Sequence, residues 1–324
     1  MKTSVTVTIG LLFVVVSGFF YFLAPQPEPL VTGKAAPVSM KLLPLEDQGP
    51  INFIQIQNVQ SGETINLERK DGRWTIRHPI VCPAETMIVE GLVTALKLST
   101  RARRLNPEKP WSEYGLAKPL LKVGVQTEYN STRRYLYFGD ASPVGRFVFA
   151  RWEGEKDYFL VNEDLKSAFS RSLYSLRSKQ LFRTPVQRIV KIRVRSGANE
   201  YEVERRGSKW FWLEPIPILG QVVSKRQIDD INGQLGELFV KEFIDDGKKT
   251  RADYGFTLLS PWLKVWDNEG KEEIFRVGQE IPDKDSFVLM REGDSSFFLV
   301  ARSNISAFLQ KFEAMAQETA ANGG

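Results

Sequence analysis

The sequence has very few of the residues on which most protein chemistry depends. There is one cysteine, Cys82, and one histidine, His78, among 324 residues. One cysteine excludes an intrachain disulfide and a thiolate metal cluster, and one histidine excludes metal sites built from several histidines. A cysteine nucleophile needs a base within reach, and His78 is the only histidine available. Cys82 is therefore interpreted as a small buried residue. We therefore expect no catalytic residue, no metal, no cofactor and no enzymatic activity.

Long apolar runs are missing except near the N-terminus, where 19 uncharged residues extend from Val5 to Leu23. As a helix this run would be about 28 Å long, close to the hydrocarbon thickness of a bilayer. Phe22 is too large for the −3 position of a cleavage site after Ala24. The run predicts an uncleaved signal anchor that crosses the lipid bilayer, with residues 1–4 in the cytoplasm and the rest outside. Nucleic acid is then not an expected partner.

Proline and charge are both unevenly distributed. Residues 24–50 contain six of the 17 prolines, a composition that predicts an extended, semi-rigid linker. Residues 51–186 carry 21 basic and 14 acidic side chains, whereas residues 187–324 carry 20 and 22. Two interpretations are open. The halves simply differ in their solvated surfaces, or the first half faces an anionic partner such as lipid headgroups or an acidic polymer.

One motif occurs twice. In each copy a polar turn leads into a tryptophan, an alternating run follows, and a proline comes five residues after the tryptophan. A Tyr-Gly pair follows each motif, and equivalent positions lie 136 to 140 residues apart, which indicates an internal duplication. Positions kept in both copies are interpreted as structural, because a catalytic constellation is seldom needed twice; equivalent aromatic pockets are the alternative. These repeat anchors are Trp74, Pro79, Tyr114, Gly115, Trp210, Pro215, Tyr254 and Gly255.

The duplication leads to a fold prediction. The fold class is α+β, with a single N-terminal transmembrane helix followed by two tandem homologous repeats of mainly antiparallel sheet with helices. Each repeat is predicted to contain three strands, a helix, four strands and a closing helix. The repeats are predicted at residues 51–183 and 184–312, and residues 313–324 are predicted to be a flexible tail.

A basic segment joins the two predicted repeats and has no acidic residue within it. It is interpreted either as a solvated connector or as a docking surface for an acidic partner or anionic headgroups. We call it the basic bridge, and its cations are Arg171, Arg177, Lys179, Arg183, Arg188, Lys191, Arg193 and Arg195.

Taken together, these motifs resemble an uncharacterised bacterial family of duplicated domains of unknown function. The resemblance covers about residues 50–312 and rests on Gly72-x-Trp74 and on Tyr114-Gly115-Leu116-x-x-Pro119. The second copy departs from the pattern with Ser208 and Lys209 before its tryptophan and with two extra residues before Pro261. Members of that family are described as auxiliary components of ABC-type transport systems of the gliding-motility kind, without established catalytic residues.

The resemblance implies a membrane-anchored binding or scaffold subunit that works with an ABC-type permease. It would lie at the bacterial inner membrane, single-pass, with the bulk of the chain periplasmic. One alternative is a stand-alone module that binds an anionic cell-envelope polymer, suggested by the basic first half. A remote alternative is an envelope hydrolase.

Overall fold

The computed structural model describes residues 40–44, 47, 49–104, 110–245 and 247–322. Within these residues the chain builds two large antiparallel sheets, one after the other along the sequence. The structure is 41% strand and 27% helix, so sheet is the dominant element and helices cover it.

The first sheet has nine strands, and each neighbouring pair is antiparallel. A separate two-stranded sheet pairs β1 (Met40–Lys41) with β6 (Thr100–Arg101). The spatial order of the nine strands is β5 (Cys82–Pro83), β4 (Arg73–His78), β3 (Thr64–Lys70), β2 (Ile51–Asn58), β8 (Leu121–Thr127), β9 (Arg134–Ala141), β10 (Phe147–Trp152), β11 (Phe159–Asn162) and β7 (Arg103–Arg104).

The second sheet repeats this arrangement strand for strand, with the same order and antiparallel pairing. The order is β15 (Val222–Val223), β14 (Lys209–Glu214), β13 (Asn199–Arg206), β12 (Ile189–Ser196), β17 (Trp262–Asp267), β18 (Glu272–Ile281), β19 (Ser286–Arg291), β20 (Phe297–Ala301) and β16 (Val240–Ile244).

Within the described residues, five α-helices accompany the sheets. Helix α4 begins with a capping box, in which Ser224 accepts from the Gln227 amide while the Gln227 side chain accepts from the Ser224 amide. The closing helix predicted for the first repeat is divided into two shorter helices. The helices are α1 (Thr86–Leu98), α2 (Glu163–Phe169), α3 (Leu173–Leu176), α4 (Lys225–Gly236) and α5 (Arg302–Asn322).

Each sheet has its own hydrophobic core. Side chains along a strand point alternately to the two faces of the sheet. Ile54 and Ile56 of β2 therefore point to the core face, and both are buried. Helix α1 presents Val89 and Leu92 to the same core. Because each core is closed by residues of its own half, the two halves are separately packed units.

Two glycines are required where the Tyr-Gly turns approach the sheets. A Cβ atom on Gly139 would lie 2.1 Å from the Tyr114 carbonyl oxygen, and one on Gly278 would lie 2.5 Å from that of Tyr254. The turns themselves end at Gly115 (φ 72°) and Gly255 (φ 70°) in the left-handed region. These glycines therefore hold the same close contact in both halves.

The same contact fixes the alignment of the two halves. Leu121 lies opposite Phe138, the residue before Gly139. In the second half the residue before Gly278, Val277, donates its amide proton to the Pro261 carbonyl. Leu121 and Pro261 are thus equivalent, both seven residues after the tyrosine, and the predicted two-residue insertion before Pro261 is wrong.

The predicted fold class is corrected. Across the part of the chain that the structure describes, no helix combines the length and apolar character needed to cross a membrane. The predicted span from Val5 to Leu23 lies outside the described residues, and so does most of the predicted linker at 24–50. The described residues form two predominantly antiparallel sheets covered by helices.

The predicted outer boundaries of the repeats also change. Leu42 and Leu43, placed in the linker by their proline-rich surroundings, are buried in the first core. At the other end, α5 continues to Asn322 instead of giving way to a flexible tail at 313. Thr319 is buried there and accepts a hydrogen bond from Trp212 Nε1 at 3.2 Å. Apolar burial extends the folded unit at both ends.

Trp74→Ala should destabilise the protein by about 3–5 kcal/mol, because the ring fills a core site and is 2% exposed. Trp111→Ala is the matched control, since Trp111 is 40% exposed, and it should cost less than about 1 kcal/mol. Urea unfolding followed by circular dichroism measures both. Equal, small losses for the two variants would show that Trp74 does not anchor the core.

Candidate functional site between the two repeats

Part of the basic bridge, directly after α3, is joined to both sheets by backbone hydrogen bonds and two isolated β-bridges. On one side the Ser178 amide donates to the Pro83 carbonyl at 3.0 Å, and the Glu85 amide donates to Leu176. On the other side the Val240 amide donates to the Lys179 carbonyl at 2.8 Å. We call residues 176–181 the junction segment. It closes the β5 edge of the first sheet and the β16 edge of the second.

Arg177 is the buried centre of this junction, at 4% exposure. Its guanidinium donates to Asp245 at 2.6 Å and to Ser296 Oγ at 3.2 Å, and Ser296 donates in turn to Asp245. The guanidinium carbon lies 3.6 Å from the centroid of the Phe243 ring. Because a buried cation is stable only when paired and hydrogen-bonded, these contacts hold the junction segment in one orientation.

A second ion cluster surrounds Arg291. Arg291 pairs with Asp294 at 2.8 Å and donates to the Leu181 carbonyl, and Asp294 also accepts from Arg183. Glu273 accepts the backbone amides of Arg183 and Thr184 at 3.0 and 2.6 Å. Burial lowers the pKa of Arg291. The cluster ties the end of the junction segment to the second core.

Other cations of the basic bridge lie beyond the junction, on the second sheet. Arg188 pairs with Glu269 at 3.1 Å. Lys191, Arg193 and Arg195 extend from β12 toward glutamates on β13. These three form a ladder on the sheet face rather than a free basic surface.

Two cations of the bridge lack a carboxylate. Lys179 donates to the Ser175 carbonyl at 2.9 Å and lies over the Tyr174 ring; burial lowers its pKa. Arg171 is exposed and has no carboxylate partner within the described part of the chain. Six of the eight bridge cations thus have carboxylate partners, three on the neighbouring strand β13 and three in more distant parts of the chain.

A cleft of about 510 Å³ opens beside the junction, with walls from both repeats. This volume is in the usual range for ligand sites, and such sites often lie between domains. Arg73 lines it from the first repeat and Lys271 from the second. Both are exposed, and among the described residues neither side chain has a carboxylate partner. The cleft therefore presents unneutralised positive charge from two sides.

Cys82 lines the same cleft but is poorly suited to act as a nucleophile. The thiol is 6% exposed, and burial raises its pKa, an effect that the positive charge of Arg177 only partly opposes. A raised pKa leaves less thiolate at neutral pH. His78 lies four residues earlier at the end of β4 and is exposed.

The tryptophan and proline anchors occupy matching places in both halves. Trp74 and Trp210 lie on β4 and β14 and are 2% and 7% exposed. Trp74 Nε1 donates to Glu90 at 2.9 Å. The peptide bonds before Pro79 and Pro215 are both cis, where each chain turns toward the edge strand.

The tyrosine anchors pack in satellite clusters on the other face of each sheet. The Tyr114 ring lies 4.4 Å from that of Phe149, and the Tyr254 ring lies 4.7 Å from that of Phe297. Both clusters are filled by side chains of their own half, Leu116 among them.

Sequence reasoning missed the acidic side of the junction. Asp245, Asp294 and Glu273 lie 68, 111 and 90 residues from the bridge arginines that they bind, so spacing along the chain does not connect them. One signal was available: Asp294 follows Arg291 by three residues, with Gly293 between them, a spacing that suits a local ion pair.

A family model described as a domain of unknown function (DUF4340) matches residues 74–225. The match begins at Trp74, runs through the whole junction and ends at Lys225, the first residue of α4. No curated protein and no solved structure matches this chain. The resemblance to a domain of unknown function is thus supported over these residues, and nothing in the match connects it with gliding-motility transport.

Arg177→Met should destabilise the protein by about 2–4 kcal/mol, since it leaves the partly buried Asp245 without its cation. Arg188→Met is the matched control, because the Arg188–Glu269 pair is exposed, and it should cost less than about 1 kcal/mol. Thermal and urea unfolding measure both losses. If Arg177→Met destabilised the protein as little as the control does, the junction would not contribute measurably to stability.

The Cys82 thiol should react slowly with iodoacetamide at neutral pH, because it is buried and its pKa is raised. Labelling should become fast in guanidinium chloride and, in the folded protein, should rise only at more alkaline pH. Mass spectrometry of timed samples measures the rate. Fast labelling of the folded protein at neutral pH would contradict this and restore Cys82 as a candidate nucleophile.

Proposed function

We propose that the protein is a non-enzymatic binding or scaffold subunit that works outside the cytoplasm with an ABC-type permease. The observation that carries the binding part is the cleft at the junction, which takes one wall from each repeat. A ligand or a partner loop placed there would contact both repeats at once. The transporter part rests on the family resemblance alone.

The rigidity of the junction supports a scaffold role. The backbone bonds of the junction segment and the buried Arg177–Asp245 pair link the two sheets directly. A preorganised surface binds with a smaller entropy cost than one that must first order itself. The proposal therefore treats the cleft as a docking site already formed before its partner arrives.

The side chains of the cleft favour binding over catalysis. Burial raises the pKa of the Cys82 thiol, which lowers the fraction of reactive thiolate at neutral pH. The guanidinium groups of Arg177, Arg183 and Arg291 are hydrogen-bond donors without an acceptor atom, so they do not suit a general base. The side chains of Arg73 and Lys271, which have no carboxylate partner among the described residues, can hold a carboxylate, a phosphate or an acidic loop.

Co-purification tests the proposal. Tagged protein is isolated from detergent-solubilised membranes of the source bacterium, and bound proteins are identified by mass spectrometry. An ABC-type permease should be enriched with the native protein and depleted with the double variant Arg73→Gln, Lys271→Gln, because both charges border the cleft. Attraction of this kind also weakens as salt is raised.

The double variant Lys156→Gln, Lys225→Gln is the control, with one exposed lysine removed from each repeat away from the cleft. It should retain the permease, and the thermal midpoints of both variants should stay near that of the native protein. Absence of any ABC-type permease from the native sample would end the transporter proposal. Equal retention by both variants would instead exclude the cleft as the contact.

A further inference from the structure

The two copies of the fold allow their outer sheet faces, opposite the main cores, to be compared position by position. Ile54 of β2 lies opposite Val125, and Ile192 of β12 lies opposite Val265, so the two isoleucines are equivalent. Their neighbours point to the outer faces. Any difference between the faces is a property of one repeat alone.

On the outer face of the second sheet, basic side chains are paired with acidic ones. Lys191 Nζ lies 2.5 Å from Glu202, and Arg193 lies 2.6 Å from Glu200 and 3.1 Å from Glu202. Arg195 also pairs with Glu200. Cations of one strand thus meet glutamates of the next, which leaves little charge for a partner.

The first-sheet face has uncharged groups at these positions. Gln55 stands where the second sheet has Arg193, and Asn66 stands where it has Glu202. The Gln55 amide donates to Asn66 Oδ1 at 2.8 Å, and the Tyr135 hydroxyl donates to Gln55 Oε1 at 3.0 Å. This chain of hydrogen bonds crosses four strands and fixes the orientation of both amides.

A glycine makes room for the tyrosine of this network. A Cβ atom on Gly124 would lie 2.8 Å from Cε1 of the Tyr135 ring, so the ring passes directly over the backbone of β8. The second sheet has Lys264 at that position and Ile274 in place of the tyrosine. The first-sheet face therefore carries a flat ring beside ordered amides.

Arg77 at the border of this face pairs with Glu68 at 2.6 Å, but two other cations there are held against aromatic rings instead of carboxylates. The Arg133 guanidinium lies 4.0 Å from the Phe53 ring centroid, and Lys122 Nζ lies 5.3 Å from that of Tyr137. Within the described residues neither cation has an acidic partner, and the nearby Glu153 accepts the Tyr137 hydroxyl. Contact with the rings holds these cations in place and leaves their N–H groups free to bind a ligand.

We propose that the first-sheet face, made of Phe53, Gln55, Asn66, Lys122, Arg133 and Tyr135, binds an acidic polysaccharide. Ordered amides suit sugar hydroxyls, the Tyr135 ring suits the apolar face of a sugar, and the two cations suit carboxylate or phosphate groups on the chain. An open sheet face also suits an extended polymer better than a compact ligand. The site is separate from the cleft and does not depend on the proposed transporter role.

Binding to polygalacturonate tests the site, with dextran as the neutral polymer and single-stranded DNA as a polyanion without carboxylated sugars. The native protein should bind polygalacturonate, more weakly as salt rises, and should bind dextran and DNA at least about tenfold more weakly. Failure to bind polygalacturonate at low salt would overturn the proposal. Equal binding of DNA would replace it with a non-specific polyanion surface.

Two variants locate the site. Lys122→Gln with Arg133→Gln should weaken polygalacturonate binding about tenfold or more, since two charge-assisted contacts are lost. Tyr135→Phe should weaken it about threefold to tenfold by releasing Gln55, an effect that simple charge attraction would not produce. Circular dichroism and thermal unfolding confirm that each variant is folded.

The control removes two cations from the second sheet, Lys264→Gln with Lys209→Gln, and should bind like the native protein. Loss of binding in this control equal to that of the first-sheet pair would show that net charge alone is responsible. Unchanged binding in all three variants would place any polysaccharide contact elsewhere on the protein.

Discussion

A buried arginine controls how the two halves of this protein meet. Arg177 is removed from water at the point where the chain leaves the first sheet, and Asp245, Ser296 and Phe243 of the second half enclose its guanidinium. An unpaired cation at this depth would be strongly destabilising, so the second half must present these groups in one arrangement. Backbone hydrogen bonds on both sides of the junction segment then join two separately packed sheets into one body.

Duplication supplies two copies of the same framework, and the differences between them carry the functional argument. Both sheets share a strand order, the tryptophan and proline anchors, and the close contact of Gly139 or Gly278 with a tyrosine carbonyl. Their outer faces diverge. One copy balances cations with glutamates across strands, whereas the other holds ordered amides, a tyrosine over Gly124 and unneutralised cations.

The basic bridge illustrates a limit of charge counting. A run of cations without acidic neighbours suggests a free surface, but contact in the fold does not follow distance along the chain. The partners of Arg177 lie 68 and 119 residues away in the sequence. The partner of Arg183, Asp294, is separated from it by 111 residues. These pairs could not be predicted from a single sequence, since each depends on how two sheets pack. The cleft, bordered by Arg73 and Lys271, has the same origin.

The sequence by itself determined the local features. The 136-residue recurrence of the tryptophan motif, the alternation that buries Ile54 and Ile192, and the capping box at Ser224 all follow from spacing and residue type. Tertiary structure alone decided that the junction segment closes two sheet edges, that α5 continues to Asn322, and which outer face keeps its charge free. The reason is physical: dihedral preference and periodicity act over a few residues, whereas burial and charge pairing depend on surfaces that exist only after folding.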